Sequence, residues 1–221
     1  MARPKSDIQE RILLAAHQRF LAEGVEAASL RNIAKDAETS IGMVYYYYTT
    51  KDELFLAVIE DTYQQLLSEL EVILRAKSSY CEQMRCWFER IARLSTHELE
   101  VVRLVVRESL TSCERRKRLL SRFLRGHVPL LLRAVLDGVK SGELDASMHP
   151  LVILSCTLGI GTVPTLMLRA AKESWAGLLE HEQMPDLVKT AMGELIAQLP
   201  HQDFMAQTLM TLIRRSVGAK A

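Results

Sequence analysis

Four consecutive phenols, Tyr45–Tyr48, stand in the stretch SIGMVYYYYTTKDEL (residues 40–54) of a 221-residue chain that has six tyrosines in all. A phenol can donate a hydrogen bond to a phosphate or a base edge while its ring packs on sugar or a thymine methyl. Around the run stand hydroxyls suited to capping helices, Ser29, Ser40 and Thr50, and two cations, Arg31 and Lys51. No nucleophile–base constellation and no phosphate-cradling glycine loop is visible, so no catalytic residue is expected. The six histidines are dispersed without ligand spacing, which predicts neither a metal site nor a cofactor. Cys81, Cys86, Cys113 and Cys156 show no CxxC spacing and read as reduced structural thiols, with a redox-sensing Cys81 and Cys86 as the alternative.

Helices must present these groups, and nothing in the chain reads as a strand. Ile8, Ile12, Ala16 and Phe20 recur every four residues, predicting a helix over 7–23 that stops at Gly24, with Ser6 and Gln9 as its capping box. Ser29 is placed to cap a short second helix whose Leu30, Ile33, Ala34 and Ala37 form one apolar edge, and Ser40 a third. Thr50 with Glu53 opens a long fourth helix to about residue 75. Further helices are predicted over 79–94, 97–111, 115–140 (kinked at Pro129), 150–171 and 174–181. Two final amphipathic helices follow, lined by Val188, Ala191, Met192, Leu195 and Leu199, and by Met205, Leu209, Leu212 and Ile213. The expected class is all-α.

The uncharged segment 151–168 falls short of the roughly 20 residues a spanning helix needs and contains Pro164, so it reads as a central helix or subunit interface. With 48% hydrophobic and 25% charged residues and a net charge of +1, the chain has the composition of a globular protein without overall basicity. Its polar first ten residues predict a cytoplasmic protein and no membrane partner.

Two short helices over 29–37 and 40–48, joined by a tight turn, suggest a helix-turn-helix. The segment SLRNIAKDAETSIGMVYYYYTTKDELFLAVIE resembles the DNA-binding signature of TetR-family transcriptional regulators, which Ser29, Ile33, Ala34, Ala37, Ser40, Gly42, Tyr45, Tyr47, Lys51 and Leu54 match. The likeness covers about 45 residues; beyond it the chain is similar only in length and helical character. Glu38, Thr39, Val44 and Tyr48 depart from the pattern, and Glu38 stands where glycine would permit a positive φ.

The resemblance implies a helix-turn-helix domain over 1–54 and a helical domain over 55–221 that dimerises and holds a small-molecule effector. The segments 150–171 and 186–215 are the candidates for the dimer interface. Such a protein would be a ligand-responsive homodimeric repressor on a palindromic double-stranded operator, released by its effector. The alternative is an architectural or division-linked DNA-binding protein on the same scaffold, controlled by a protein partner.

At about 100° per residue, Val44, Tyr47 and Tyr48 fall on one side of the third helix and Gly42, Tyr45, Tyr46 and Thr49 on the other. Tyr47 and Tyr48 are therefore expected in the core, and Tyr45 and Tyr46 toward the major groove. The DNA-contacting set is Ser29, Arg31, Ser40, Ile41, Gly42, Met43, Tyr45, Tyr46 and Lys51. Arg31 is its one good guanine reader. Residues 1–54 carry a net −1, so positive charge must be sorted onto one face, from Arg3, Lys5, Arg31, Lys51 and the helix amino termini.

Met84, Trp87, Phe88, Leu104, Phe123, His127, Met167 and Trp175 could line a pocket, although at helical spacing such residues are more often core. Arg103 and Arg107, one turn apart beside Glu108, read as a partly buried ion-pair cluster or as receivers of a polar ligand. The run ERRKRLLSRFLR (114–125) reads as a solvated face with its leucines turned inward.

Overall fold

In the computed structural model the described residues are Asp7–Leu179 and the isolated positions 185, 188, 190 and 194; the expected helices beyond 186 and the arm bearing Arg3 and Lys5 lie outside them. Among the described residues every element is an α-helix: α1 (Asp7–Glu23), α2 (Leu30–Asp36), α3 (Ile41–Tyr47), α4 (Lys51–Arg75), α5 (Tyr80–Ala92), α6 (Thr96–Thr111), α7 (Cys113–Phe123), α8 (His127–Lys140) and α9 (Pro150–Leu179).

The chain divides into two compact units. The first comprises the described residues to Glu69 and Ser95–His127; the second comprises Leu70–Leu94 and the described residues from Val128.

The core of the first unit is apolar, with Ile12, Phe20, Ile33, Val44, Leu54 and Phe55 fully buried. Phe20 of α1 and Phe55 of α4 meet edge-on, their ring centroids 6.3 Å apart. α1 ends at Gly24, whose φ of +85° only glycine adopts readily. Local hydroxyls set the other boundaries. Ser95 and Glu98 form a full capping box at the start of α6. Ser112 closes α6 and, through its side chain, caps the Arg115 N–H of α7.

A buried ion-pair hub binds α6 and α7 to the helix-turn-helix segment. Glu108 (3% exposed) is ion-paired with the Arg115 guanidinium at 2.8 Å and accepts the Val25 N–H at 3.3 Å. Arg115 reaches on to Asp52 at 3.1 Å and Glu26 at 3.3 Å. Arg107 donates to the carbonyls of Phe20 and Leu21 in the last turn of α1. Of the expected Arg103–Arg107–Glu108 group, Arg107 lies 3.4 Å from Glu108 while Arg103 is exposed, and the 114–125 run is not simply a solvated face. Arg115 is buried within it, Leu119 points inward, and Leu120 and Leu124 are more than half exposed.

Two helix expectations are corrected. In place of one kinked helix over 115–140 there are two, separated at 124–126. Pro129 sits in the first turn of α8, where its missing N–H is no loss. The break occurs at Gly126, where an added Cβ would collide with the Tyr63 hydroxyl. Conversely, α9 runs unbroken through 171–174, which hold neither glycine nor proline, and tolerates Pro164 in its interior.

In the second unit α5 packs on α9, with Trp87 and Phe88 buried and the Tyr80 hydroxyl 2.6 Å from that of the buried Thr157. No helix among the described residues is long and apolar enough to cross a membrane.

Removing one partner of a buried charge pair costs about 3–5 kcal/mol, because the other is left uncompensated. Glu108→Gln should therefore lower the unfolding free energy by about 3 kcal/mol, read from the midpoint of urea denaturation.

Candidate nucleic-acid interface

The tyrosine run divides as helical geometry requires. Val44 is fully buried and Tyr48 is 7% exposed, its phenol oxygen accepting from the Gln9 amide of α1 at 3.2 Å. Tyr47 is half-buried against the same core. Tyr45 and Tyr46 stand outward, 50% and 75% exposed, beside exposed Ile41 and Gly42. Met43 is half-buried. The side of α3 not used for packing is thus formed by phenols, an aliphatic side chain and bare backbone.

The capping groups differ in detail from their expected roles. Ser40 accepts the Met43 N–H at 3.2 Å and begins α3. Ser29 occupies the cap position of α2 with extended backbone, but its hydroxyl makes no capping bond. At α4 the Thr50 hydroxyl accepts the Glu53 N–H at 3.1 Å, while the Glu53 carboxylate reaches Thr49, taking its hydroxyl at 2.6 Å and its N–H at 3.0 Å. The Thr49 hydroxyl is the chief reason that the Glu53 carboxyl is held below its usual range. Lys51 is half-buried, and its ammonium donates to the carbonyls of Glu26 (2.5 Å) and Ala28 (3.4 Å), fastening the α1–α2 connection to the start of α4.

Between α2 and α3 the chain turns through Glu38, whose φ of +49° makes it the described non-glycine residue in the left-handed region. The Glu38 N–H donates to the Lys35 carbonyl and the Thr39 N–H to the Ala34 carbonyl, the paired bonds of a Schellman ending. Glutamate therefore adopts the conformation that glycine would take. Arg11 stays near it, 3.6 Å from the carboxylate.

The net −1 of the first 54 residues hides a sorting of charge. Asp36 and Glu23 are each 2.6 Å from Arg19, Asp7 is paired with Arg11, and Asp52 with the buried Arg115. Arg31 and Lys35 lie one turn apart on the exposed face of α2, away from buried Ile33 and Ala34, and form no salt bridge among the described residues.

The expected pocket residues fall into separate groups. Met84, Trp87 and Phe88 are buried in the second unit, where Met167 is 67% exposed; the Trp175 side chain lies outside the described residues. Leu104, Phe123 and His127 belong to the first unit, where Arg103 is exposed and Arg107 binds the end of α1.

His127 sits in a small aromatic cluster. Its Nδ1 is 2.9 Å from the Tyr63 hydroxyl, its ring is 5.2 Å from that of Phe123, and the Arg122 guanidinium lies over the Tyr63 ring at 4.5 Å. One group among the described residues has the composition of a metal site, His17, His97 and Glu100.

Residues 12–58 match the sequence profile of the bacterial regulatory proteins of the tetR family. The chain is 28% identical over 102 residues to the HTH-type transcriptional activator FasR of Mycolicibacterium smegmatis, covering 46% of this chain and 47% of the activator. It is 23% identical over 155 residues to the fatty acid metabolism regulator protein of Bacillus subtilis, covering 69% of this chain and 77% of that one. Thus the chain spans about half the length of the activator it matches. Among solved structures, the transcriptional regulator FadR from Bacillus subtilis in complex with stearoyl-CoA superposes with a TM-score of 0.63 at 17% identity, covering 92% of this chain and 96% of that one. This last likeness is one of fold.

Two measurements follow from the geometry. Glu38→Gly removes a left-handed glutamate that costs about 1–2 kcal/mol, and after the entropy of the added glycine should raise stability by about 1 kcal/mol, seen as a higher Tm.

Burial pushes the His127 pKa down to about 4, with the Arg122 charge acting in the same direction. In the unfolded chain the group titrates near 6.5, so between about pH 6.5 and 4 the unfolded state holds the extra proton and stability falls as pH drops. Urea denaturation should show about 2 kcal/mol of this loss between pH 7 and pH 5, and His127→Asn should flatten the slope.

Proposed function

We propose that the chain is a TetR-family transcriptional regulator that acts as a ligand-responsive homodimeric repressor and reads a palindromic operator with the exposed face of α3, a reading supported by the family match over residues 12–58. One observation carries this reading most strongly: Tyr45, Tyr46, Ile41 and Gly42 stand outward on α3 while Val44 and Tyr48 anchor the helix behind them. Phenol hydroxyls and the Ile41 side chain suit phosphates and thymine methyls, and Gly42 allows backbone approach. Arg31 supplies the guanine reader, with the exposed Lys35 beside it as a phosphate contact. Because few cations are available, the affinity should depend on salt less steeply than that of a strongly basic domain.

A single seven-residue helix covers few base pairs, so a dimer with its reading helices about one DNA turn apart is required for specificity. α9 supports this requirement, since it exposes Leu151, Val152, Val163 and Met167 in the single chain. The effector class proposed first is a long-chain fatty acyl thioester. Two similar proteins bear names tied to fatty acid metabolism or to stearoyl-CoA. To weaken operator affinity 100-fold the effector must favour the non-binding conformer by about 2.7 kcal/mol.

Footprinting upstream of the protein's own coding region should reveal a two-fold symmetric site, from which stearoyl-CoA releases the protein. Arg31→Ala should cost about 1–3 kcal/mol of discrimination between operator and random duplex, whereas Lys51→Ala should weaken both together. A monomeric protein, or one with no affinity for duplex at low ionic strength, would overturn the reading.

A further inference from the structure

Helices α1, α4 and α6 assemble a group of side chains that sequence spacing did not reveal. His17 of α1 and His97 and Glu100 of α6 each offer one ligand atom, and these atoms lie within 4.8 Å of one another. The His17 side chain is only 8% exposed, and its Nε2 is buried without a hydrogen-bond partner among the described residues, 3.8 Å from Oε2 of Glu100. Buried polar nitrogens in folded proteins are normally satisfied, so this one needs a reason.

The His17 and His97 rings meet edge-on with centroids 4.7 Å apart, and the Thr62 hydroxyl lies 3.0 Å from Nε2 of His97, steadying that ring from α4. A cavity of about 220 Å³ adjoins the two imidazoles, and the carboxyl-bearing Glu10 and Asp61 line it as well. None of these groups belongs to the outward face of α3.

We propose that His17, His97 and Glu100 bind one divalent transition-metal ion of the zinc class. Two imidazoles and one carboxylate form a three-ligand zinc donor set that leaves a fourth position for water. Around a tetrahedral ion with metal–ligand bonds of about 2.0–2.1 Å the ligand atoms lie roughly 3.3 Å apart, so side-chain movements of about an ångström close the site. Imidazole donors favour zinc, cobalt or nickel over magnesium and calcium, which take oxygen ligands. The ligands must be free of protons, so zinc uptake should weaken as the pH falls. Bound there, the ion joins α1 directly to α6. The site stands independently of the operator reading, because none of its donors is proposed to touch DNA.

The test uses the full chain, freed of metal by chelator dialysis and titrated calorimetrically with zinc chloride, magnesium chloride serving as control. The expected result is one zinc per chain, a rise in Tm with zinc but not magnesium, and cobalt substitution that gives ligand-field bands without thiolate charge transfer. His17→Ala removes a buried side chain and risks misfolding, so the decisive variants are His97→Ala and Glu100→Gln, at exposed and half-exposed positions. Each should lower zinc affinity by at least about 100-fold, beyond the 10–100-fold typical of losing an outer-shell partner. The proposal is overturned if the wild-type chain takes up no zinc at micromolar concentrations, if both variants bind as tightly as wild type, or if the cobalt spectrum places the ion on cysteine.

Discussion

The carboxylate of Glu108 is the point on which the first unit depends. A buried acid is tolerated only when its charge is matched and its lone pairs are occupied. Here the Arg115 guanidinium supplies the charge and the Val25 N–H occupies an oxygen, while Arg107 stands 3.4 Å away. Arg115 in turn takes Asp52 from the first turn of α4 and Glu26 from the α1–α2 connection. Four segments distant in sequence are therefore fixed by one charged centre. Replacement of the whole hub by apolar residues need not weaken such a unit. Its worth lies in direction, since only one arrangement of α1, α4, α6 and α7 satisfies every member.

Much of the architecture was legible because it is local. Apolar residues every three or four positions marked the helices, and serines or threonines three residues before an acid marked several starts. The 100° step separated Tyr45 and Tyr46 from Tyr47 and Tyr48, and burial follows the same division. Glu38 shows how far a local rule reaches. The turn keeps the Schellman bonds and the positive φ of a glycine turn, so the pattern of backbone hydrogen bonds dictated the conformation and the side chain accepts the strain.

What stayed hidden depends on partners remote in sequence. Arg115 looked like one cation in a solvated run, because Glu26 and Asp52 lie 89 and 63 residues away. The break between α7 and α8 has no local signal beyond Gly126, whose need for a bare Cα comes from the Tyr63 hydroxyl. Arg107 was expected beside Glu108, but its strongest partners are carbonyls at the end of α1, and a backbone acceptor leaves no sequence signature. His17 and His97 looked dispersed for the same reason. The net charge of the first 54 residues was misleading in sum, since Arg19 and Arg115 already face its acids.

These contacts also determine which parts of the first unit can move. Along α6, Glu100 lies near His17, Arg107 grips the terminal carbonyls of α1, and Glu108 holds the next N–H beyond them. Those positions span eight residues, about 12 Å of helix, and all bear on the second half of α1 and the turn after it. A slide of α6 along α1 by even one turn would unpair the Glu108 hub and free the carbonyls at once, whereas rotation of the two together breaks none of these bonds. Lys51 ties the start of α4 to the same connection through the carbonyls of Glu26 and Ala28. Helices α1 and α6 and the first turn of α4 are therefore cross-linked by charged and backbone contacts, and Ile33 of α2 and Val44 of α3 are buried in the same apolar core.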